Sequence, residues 1–180
     1  VLTDQRFFHG ADRDLTAVRA AVALPVLRKD FVVDPYQIYQ ARALRADAVL
    51  LIAGTVAPAE LAALGDLATR MGMAAVFEVH TQAQVDDVLT AGARVIGINN
   101  RDLRTLGVDL GTTARLRPRI PEGVAVISES GIETVEDIVR VCSTGVDAVL
   151  VGAALMASAD PASHLRRLRL AAEQTKGVLR

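Results

Sequence analysis

Lys29 and Glu78 each close a short apolar run, Val26-Leu27-Arg28-Lys29 and Val76-Phe77-Glu78, and an ammonium with a carboxylate could together carry protons to and from a substrate. A carboxylate in apolar company incurs a desolvation penalty that suits acid–base work, and a nearby lysine opposes that shift. Leu27 and Lys29 share strand parity, so an inward Leu27 sets the ammonium inward as well. The structural alternative is an ion pair of Lys29 with Asp30 or Glu78. Three more runs end in polar or small residues: Val95-Ile96-Gly97-Ile98-Asn99, Val126-Ile127-Ser128-Glu129-Ser130-Gly131 and Val149-Leu150-Val151-Gly152. Asn99 offers an amide that holds a hydroxyl or carboxylate without titrating, and Arg101 offers a fork matched to phosphate; Asn100 suits a loop cap better. Ser130-Gly131 and Gly152-Ala153 put small residues after two strands, where backbone N–H groups can approach phosphate oxygens.

Such residues act together only if a scaffold collects them. Residues 25–29, 48–52, 75–79, 95–99, 124–128 and 148–151 have the length and Val/Ile/Leu bias of strands buried on both faces. The stub 1–3 reads as a seventh. Between them lie helical stretches with their own start and stop signals. Asp34-Pro35 opens one over 36–44, Ala57-Pro58 one that runs to Arg70, Thr81 one that stops near Gly92, and Thr134 one over 135–142. A short helix over 153–157 precedes Pro161 and a last helix over 162–176. Two segments, Ala46-Asp47-Ala48-Val49-Leu50-Leu51 and Val146-Asp147-Ala148-Val149-Leu150-Val151, nearly copy each other, and residues 92–97 make a looser third copy. Strand, helix and repeat together predict an α/β fold of the (βα)8 TIM-barrel type, whose chemistry gathers at the carboxyl ends of the strands. Eight strands are needed and seven are found. The expectation is therefore one barrel domain over residues 1–180, amino-terminally truncated and missing its first strand-helix unit.

Composition narrows the function classes. The chain has 180 residues, is 51% hydrophobic and carries a net charge of -1, which suits a globular domain with a sizeable core. With 3% aromatic residues and no Trp it lacks the basic field and stacking platforms of nucleic-acid binders. No apolar run reaches the roughly 18 residues of a membrane span, and the first residues lack a signal-peptide layout, so a cytoplasmic location is expected. Cys142 cannot form an internal disulfide and falls on the apolar stripe Val135, Ile138, Val139, Cys142, which predicts a packed core thiol. His9, His80 and His164 have no metal-ligand spacing, so no metal is expected. His80 reads as a loop residue that could orient Glu78. No Ser/His/Asp elbow and no Gly-x-Gly-x-x-Gly occurs, leaving little support for covalent hydrolysis or a dinucleotide.

Pro25-Val26-Leu27-Arg28-Lys29-Asp30-Phe31, Asp34-Pro35-Tyr36-Gln37-Ile38-Tyr39, Gly97-Ile98-Asn99-Asn100-Arg101-Asp102-Leu103 and Ser128-Glu129-Ser130-Gly131-Ile132 occur in that order. Taken together, they resemble indole-3-glycerol phosphate synthase along nearly the whole chain. The resemblance implies a lyase of tryptophan biosynthesis that needs no cofactor. Its substrate would be 1-(2-carboxyphenylamino)-1-deoxyribulose 5-phosphate, which it closes, decarboxylates and dehydrates. By that resemblance Lys29 is the general acid, Glu78 serves the dehydration and Asn99 orients the substrate. Arg101, Ser130, Gly131, Gly152 and Ala153 surround the phosphate side, and Phe31 and Leu50 wall the anthranilate ring. The family's first strand also carries a lysine and a glutamate, and a helical amino-terminal extension precedes it; nothing in these residues matches them. The 180 residues alone are expected to be badly impaired. Ala153 stands where the family often has a polar residue, which predicts weaker phosphate binding through the remaining backbone N–H.

Two other readings compete. Another phosphate-binding barrel, such as phosphoribosylanthranilate isomerase, would need a catalytic Cys/Asp pair that a mid-helix Cys142 cannot supply. A non-catalytic barrel fragment would expose strand edges and self-associate through them, whereas a complete barrel would be a monomer.

Overall fold

Asp34 shows how a local signal becomes an element: its carboxylate accepts a hydrogen bond from Tyr36 N at 2.8 Å, Pro35 presets the first turn, and a helix runs from there. The structure, a computed structural model, describes residues 1–178. Its strands are β1 (Leu27–Arg28), β2 (Ala48–Ile52), β3 (Ala74–Val79), β4 (Val95–Asn99), β5 (Ala125–Glu129) and β6 (Ala148–Leu150), and their order in the sheet is the order of the chain. Its helices are α1 (Gln5–Phe8), α2 (Asp12–Ala21), α3 (Pro35–Ala43), α4 (Pro58–Arg70), α5 (Gln82–Thr90), α6 (Gly111–Leu116), α7 (Val135–Cys142), α8 (Ala153–Met156) and α9 (Pro161–Val178). The chain divides into two compact units, Val1–Val79 with Asp86–Ile96 and His80–Val85 with Gly97–Arg180.

In the first unit β1, β2 and β3 pair in parallel, with Leu27 opposite Ala48, Leu51 opposite Phe77 and Ile52 opposite Glu78. Leu61, Leu64, Gly65 and Ala68 form the buried stripe of α4. Gly65 is required there, because a Cβ at that position would stand 2.5 Å from Cζ of Phe77. Phe77 thus faces the helix, and strand alternation turns Glu78 to the opposite face. The 1–3 segment contributes a bridge rather than a ladder. Leu2 pairs in parallel with Lys29, whose N–H donates to Val1 O at 2.8 Å.

In the second unit β5 and β6 pair in parallel, Ser128 opposite Val149. Thr134 and Asp137 cap α7 reciprocally: Asp137 N donates to Thr134 Oγ1 at 3.2 Å and Thr134 N to Asp137 Oδ2 at 2.9 Å. Ile132, Ile138, Val141, Cys142, Leu168 and Ala171 pack into one cluster, so Cys142 is a core thiol; of the stripe expected with it only Ile138 is buried, Val135 and Val139 are exposed, and Val141 packs in their stead.

Strands 48–52 and 95–99 lie where the sequence placed them, and the others differ by one or two residues at an end. Helices α1 and α6, of four and six residues, are too short for periodicity to reveal them, and the sequence expectation omits α2 although Leu15, Ala17, Val18, Ala20 and Ala21 are apolar. Only Leu15 of α2 is buried, and α6 buries Thr113 and Leu116. Polar contacts hold α2 instead: Ala11 N donates to Asp14 at 2.9 Å, and Arg28 reaches Asp12 at 3.3 Å.

Candidate active site

Backbone register sets the first group. Lys29 follows β1 and projects on the same face as Leu50 of β2 and Glu78 of β3. Lys29 Nζ donates to Glu78 Oε2 at 3.0 Å, with the Glu78 side chain 1% exposed and that of Lys29 23% exposed. Leu50 is buried on the strand between them. Asp30, the other partner open to Lys29, is taken by Arg28, whose buried guanidinium reaches it at 3.1 Å and also donates to Thr3 Oγ1 and Gln37 O. That diversion fixes the direction of both cations, Arg28 toward the helices and Lys29 toward Glu78. Phe31 packs against Phe7 edge-on, with centroids 5.6 Å apart, and against Phe8 in a stacked pair at 6.2 Å. Phe7 and Phe8 are exposed, so three of the chain's four phenylalanines form an apolar shelf just past β1. Phe7 and Phe8 went unassigned in the sequence reading; an aromatic doublet in so aromatic-poor a chain was the available signal.

The second unit holds the other group. Asn99 ends β4 at 6% exposure, and its Oδ1 accepts from Arg101 N at 2.9 Å. Arg101 bridges antiparallel to Val108 and donates from Nη1 to Leu106 O at 2.9 Å, folding residues 101–108 into a loop. Hydrogen bonds from the N–H groups of Arg104 and Thr105 hold the Asp102 carboxyl in that loop below its ordinary range. Asp109 is held low in the same way by the Arg115 side chain and by Gly111 N–H. Ser130 and Gly131 follow β5 with φ of 66° and 75°, both left-handed. A Cβ on Gly131 would collide with Val108 Cγ1, so glycine is needed for space as well as for conformation. Gly152 caps α8, Ala153 is its first residue, and a Cβ on Gly152 would meet nothing within 4 Å. Glu129, buried at the end of β5 beside this turn, is a carboxylate the sequence reading passed over. Its signal was its place in the second copy of the repeat, where it occupies the position of Lys29.

His80 N and Thr81 N both donate to Gln84 Oε1, at 2.8 and 3.1 Å, which opens α5. A hollow of about 360 Å³ lined by Arg117, Glu122, Val124 and Asp147 lies at the amino end of β5. Among the described residues no His/Cys/Asp/Glu group could hold a metal ion, and no helix is long and apolar enough to cross a membrane.

The family model for indole-3-glycerol phosphate synthase matches residues 1–168. The chain belongs to the indole-3-glycerol phosphate synthase family. It is 51% identical over 161 residues to the synthase of Mycobacterium avium, covering 89% of this chain and 59% of that protein. It is 48% identical over 171 residues to that of Dehalococcoides mccartyi, covering 93% and 66%. The chain thus spans about three-fifths to two-thirds of the length of these curated relatives. Among solved structures it is similar to 3-hexulose-6-phosphate synthase from Salmonella typhimurium, with a TM-score of 0.78 at 19% identity over 97% of this chain and 86% of that one. At that identity the likeness speaks for the fold alone, an α/β architecture of the TIM-barrel type whose six described strands fall short of eight.

Proposed function

We propose that this chain supplies the greater part of an indole-3-glycerol phosphate synthase, and that residues 1–180 form one barrel domain. In support of the domain reading, the family match runs through both compact units without a break. The observation that carries the functional reading is the family match over residues 1–168. The Lys29–Glu78 ion pair, which a purely structural role would also give, sets an ammonium and a buried carboxylate 3.0 Å apart at the carboxyl ends of parallel strands, where proton transfer could use them.

The reaction joins the carboxylated ring carbon of the anthranilate to the ketone carbon of the sugar, then releases carbon dioxide and water. Closure needs the ketone oxygen protonated as the carbon–carbon bond forms, a role that fits the Lys29 ammonium. Departure of the resulting hydroxyl as water needs a proton delivered to it and one removed from the methylene carbon beside the nitrogen, which leaves the indole double bond and its N–H, traffic that fits Glu78. Asn99 would orient the hydroxyls. Arg101 and the N–H groups of Ser130, Gly131, Gly152 and Ala153 would take the phosphate, with Leu50 and the Phe31 shelf against the aromatic ring. No cofactor, nucleic acid or membrane enters this reading, and the location is cytoplasmic.

The isomerase alternative needs a reachable cysteine, whereas Cys142 is buried in the α7 cluster. Turnover tests the proposal, with indole fluorescence following conversion of the anthranilate-ribulose phosphate. A polypeptide extended upstream to the relatives' length is expected to turn over, and the 180 residues alone to be badly impaired and to self-associate on size exclusion. An inert extended polypeptide overturns the function. A 180-residue chain at the extended rate overturns the impairment.

A further inference from the structure

Asn100 stands beside two residues of the proposed site and is assigned to neither proton transfer nor substrate. Its side chain is 2% exposed and every polar atom of it is engaged. Nδ2 faces Glu129 O at 2.9 Å, Ser128 Oγ at 3.1 Å and Ser130 O at 3.1 Å. Oδ1 accepts from Thr113 Oγ1 at 2.8 Å and Thr113 N at 3.2 Å, and that hydroxyl lies 2.7 Å from Ser128 Oγ. Its main chain continues the same junction, with Asn100 N donating to Glu129 O and Asp109 N to Asn100 O, both at 2.9 Å.

One residue thereby ties together three segments: the end of β4 that carries Asn99, the turn after β5 through its side-chain amide, and, through Thr113 and its own main-chain carbonyl, the stretch from Asp109 into α6 that follows the Val108 lying over Gly131. The turn needs such a tie. Ser130 is a non-glycine residue in the left-handed region, a conformation that persists only where its surroundings hold it. The Ser130 carbonyl taken by Asn100 adjoins the Gly131 N–H offered to the ligand, so its hydrogen bond sets the plane of that peptide.

We infer that Asn100 is the positioning residue of the turn at Ser130-Gly131, fixing the peptide that presents its N–H to an anionic phosphate group. The inference rests on the phosphate role proposed for that turn. A residue that merely filled the core would affect stability without selectively affecting the turn.

Three variants of the 180-residue chain separate these cases, with inorganic phosphate as the probe and the Gly131 amide resonance as the reporter. Asn100→Asp keeps the shape and the acceptor for Thr113 but replaces the Nδ2 donor, and Asn100→Ala removes both. Thr113→Val perturbs the opposite side of the cluster and leaves the Ser130 contact intact. Both Asn100 variants are expected to weaken phosphate binding about tenfold and to speed amide exchange at Ser130 and Gly131. Thr113→Val is expected to leave both within about twofold at a comparable loss of melting temperature. Equal effects from Asn100→Asp and Thr113→Val overturn the inference, as does an Asn100→Asp chain with unchanged binding and exchange. If the unaltered chain shows no phosphate response at Gly131, the phosphate reading falls, and amide exchange at the turn alone decides whether Asn100 positions it.

Discussion

Asp47 and Asp147 make the same clasp in two stretches of chain: each carboxylate accepts a hydrogen bond from the N–H of the valine 21 residues before it, Val26 at 2.7 Å and Val126 at 2.8 Å. The return bond matches as well, with Asp47 N donating to Val26 O and Asp147 N to Val126 O. Gln37 and Asp137 repeat the pattern, each taking two successive N–H groups, of Val33 and Asp34 in one copy and Glu133 and Thr134 in the other. Each clasp ties the start of one strand to its parallel neighbour, independently of the helix between. Asp47→Ala and Asp147→Ala are each expected to lower unfolding free energy by about 1–2 kcal/mol, read from urea midpoints. A loss in only one of them would break the equivalence.

The copies differ at one backbone position. Arg45 has φ of 66° where the second copy has Gly145 with φ of 83°. An exposed arginine in the left-handed region is strained, and glycine relieves the strain at some entropic cost in the unfolded chain. Arg45→Gly should stabilise the chain by about 0.5–1 kcal/mol, visible as a higher urea midpoint at unchanged slope.

Gly131 and Gly145 share a left-handed φ and differ in the space around them. Nothing lies within 4 Å of a Cβ built on Gly145, whereas one on Gly131 strikes Val108. Gly145→Ala is expected to cost about 1 kcal/mol from conformation alone. Gly131→Ala should cost about 1–3 kcal/mol more and weaken phosphate binding in parallel. Equal losses would mean that Val108 yields without penalty.

In the upstream-extended polypeptide, Lys29→Met and Glu78→Gln are each expected to lower kcat by about 10²–10⁴-fold. The double variant should fall by much less than the product of the two, since each residue serves a different step and kcat follows the slower of them. Steady-state kinetics checks both. Full multiplicativity would place both residues in one rate-limiting step.

Burial pushes the Asp137 carboxyl up, but the N–H groups of Thr134 and Glu133 and the Thr134 hydroxyl hold it below the ordinary value of 3.8. The folded state therefore gains stability from this cap that is fully present above about pH 3.8 and is lost as pH falls through the lower folded value. Acid titration of stability should be shallower in Asp137→Ala than in the parent chain below that pH. Identical acid limbs would show that the cap does not contribute.

Strands 48–52 and 95–99 were legible because continuous apolar runs of that length have few alternatives in a strand-helix chain. Lys29 and Glu78 were legible because a charged residue that ends an apolar run is conspicuous. Three things escaped: helices α1, α2 and α6, the phenylalanine shelf, and the Asn100 cluster. Each depends on partners distant in sequence, such as Thr113 and Ser128 for Asn100 or Phe31 for Phe7. Periodicity records which face a residue takes and is silent on which neighbours meet there. The diversion of Asp30 to Arg28 escaped for the same reason, since two adjacent cations compete for it and only geometry decides.

Gly65 has one more consequence. Its missing side chain leaves room for the Phe77 ring, so α4 lies against β3 on the face opposite the one from which Glu78 meets Lys29. A methyl added at Gly65 is expected to press on that ring, and through it on the strand whose other face carries the Lys29–Glu78 ion pair.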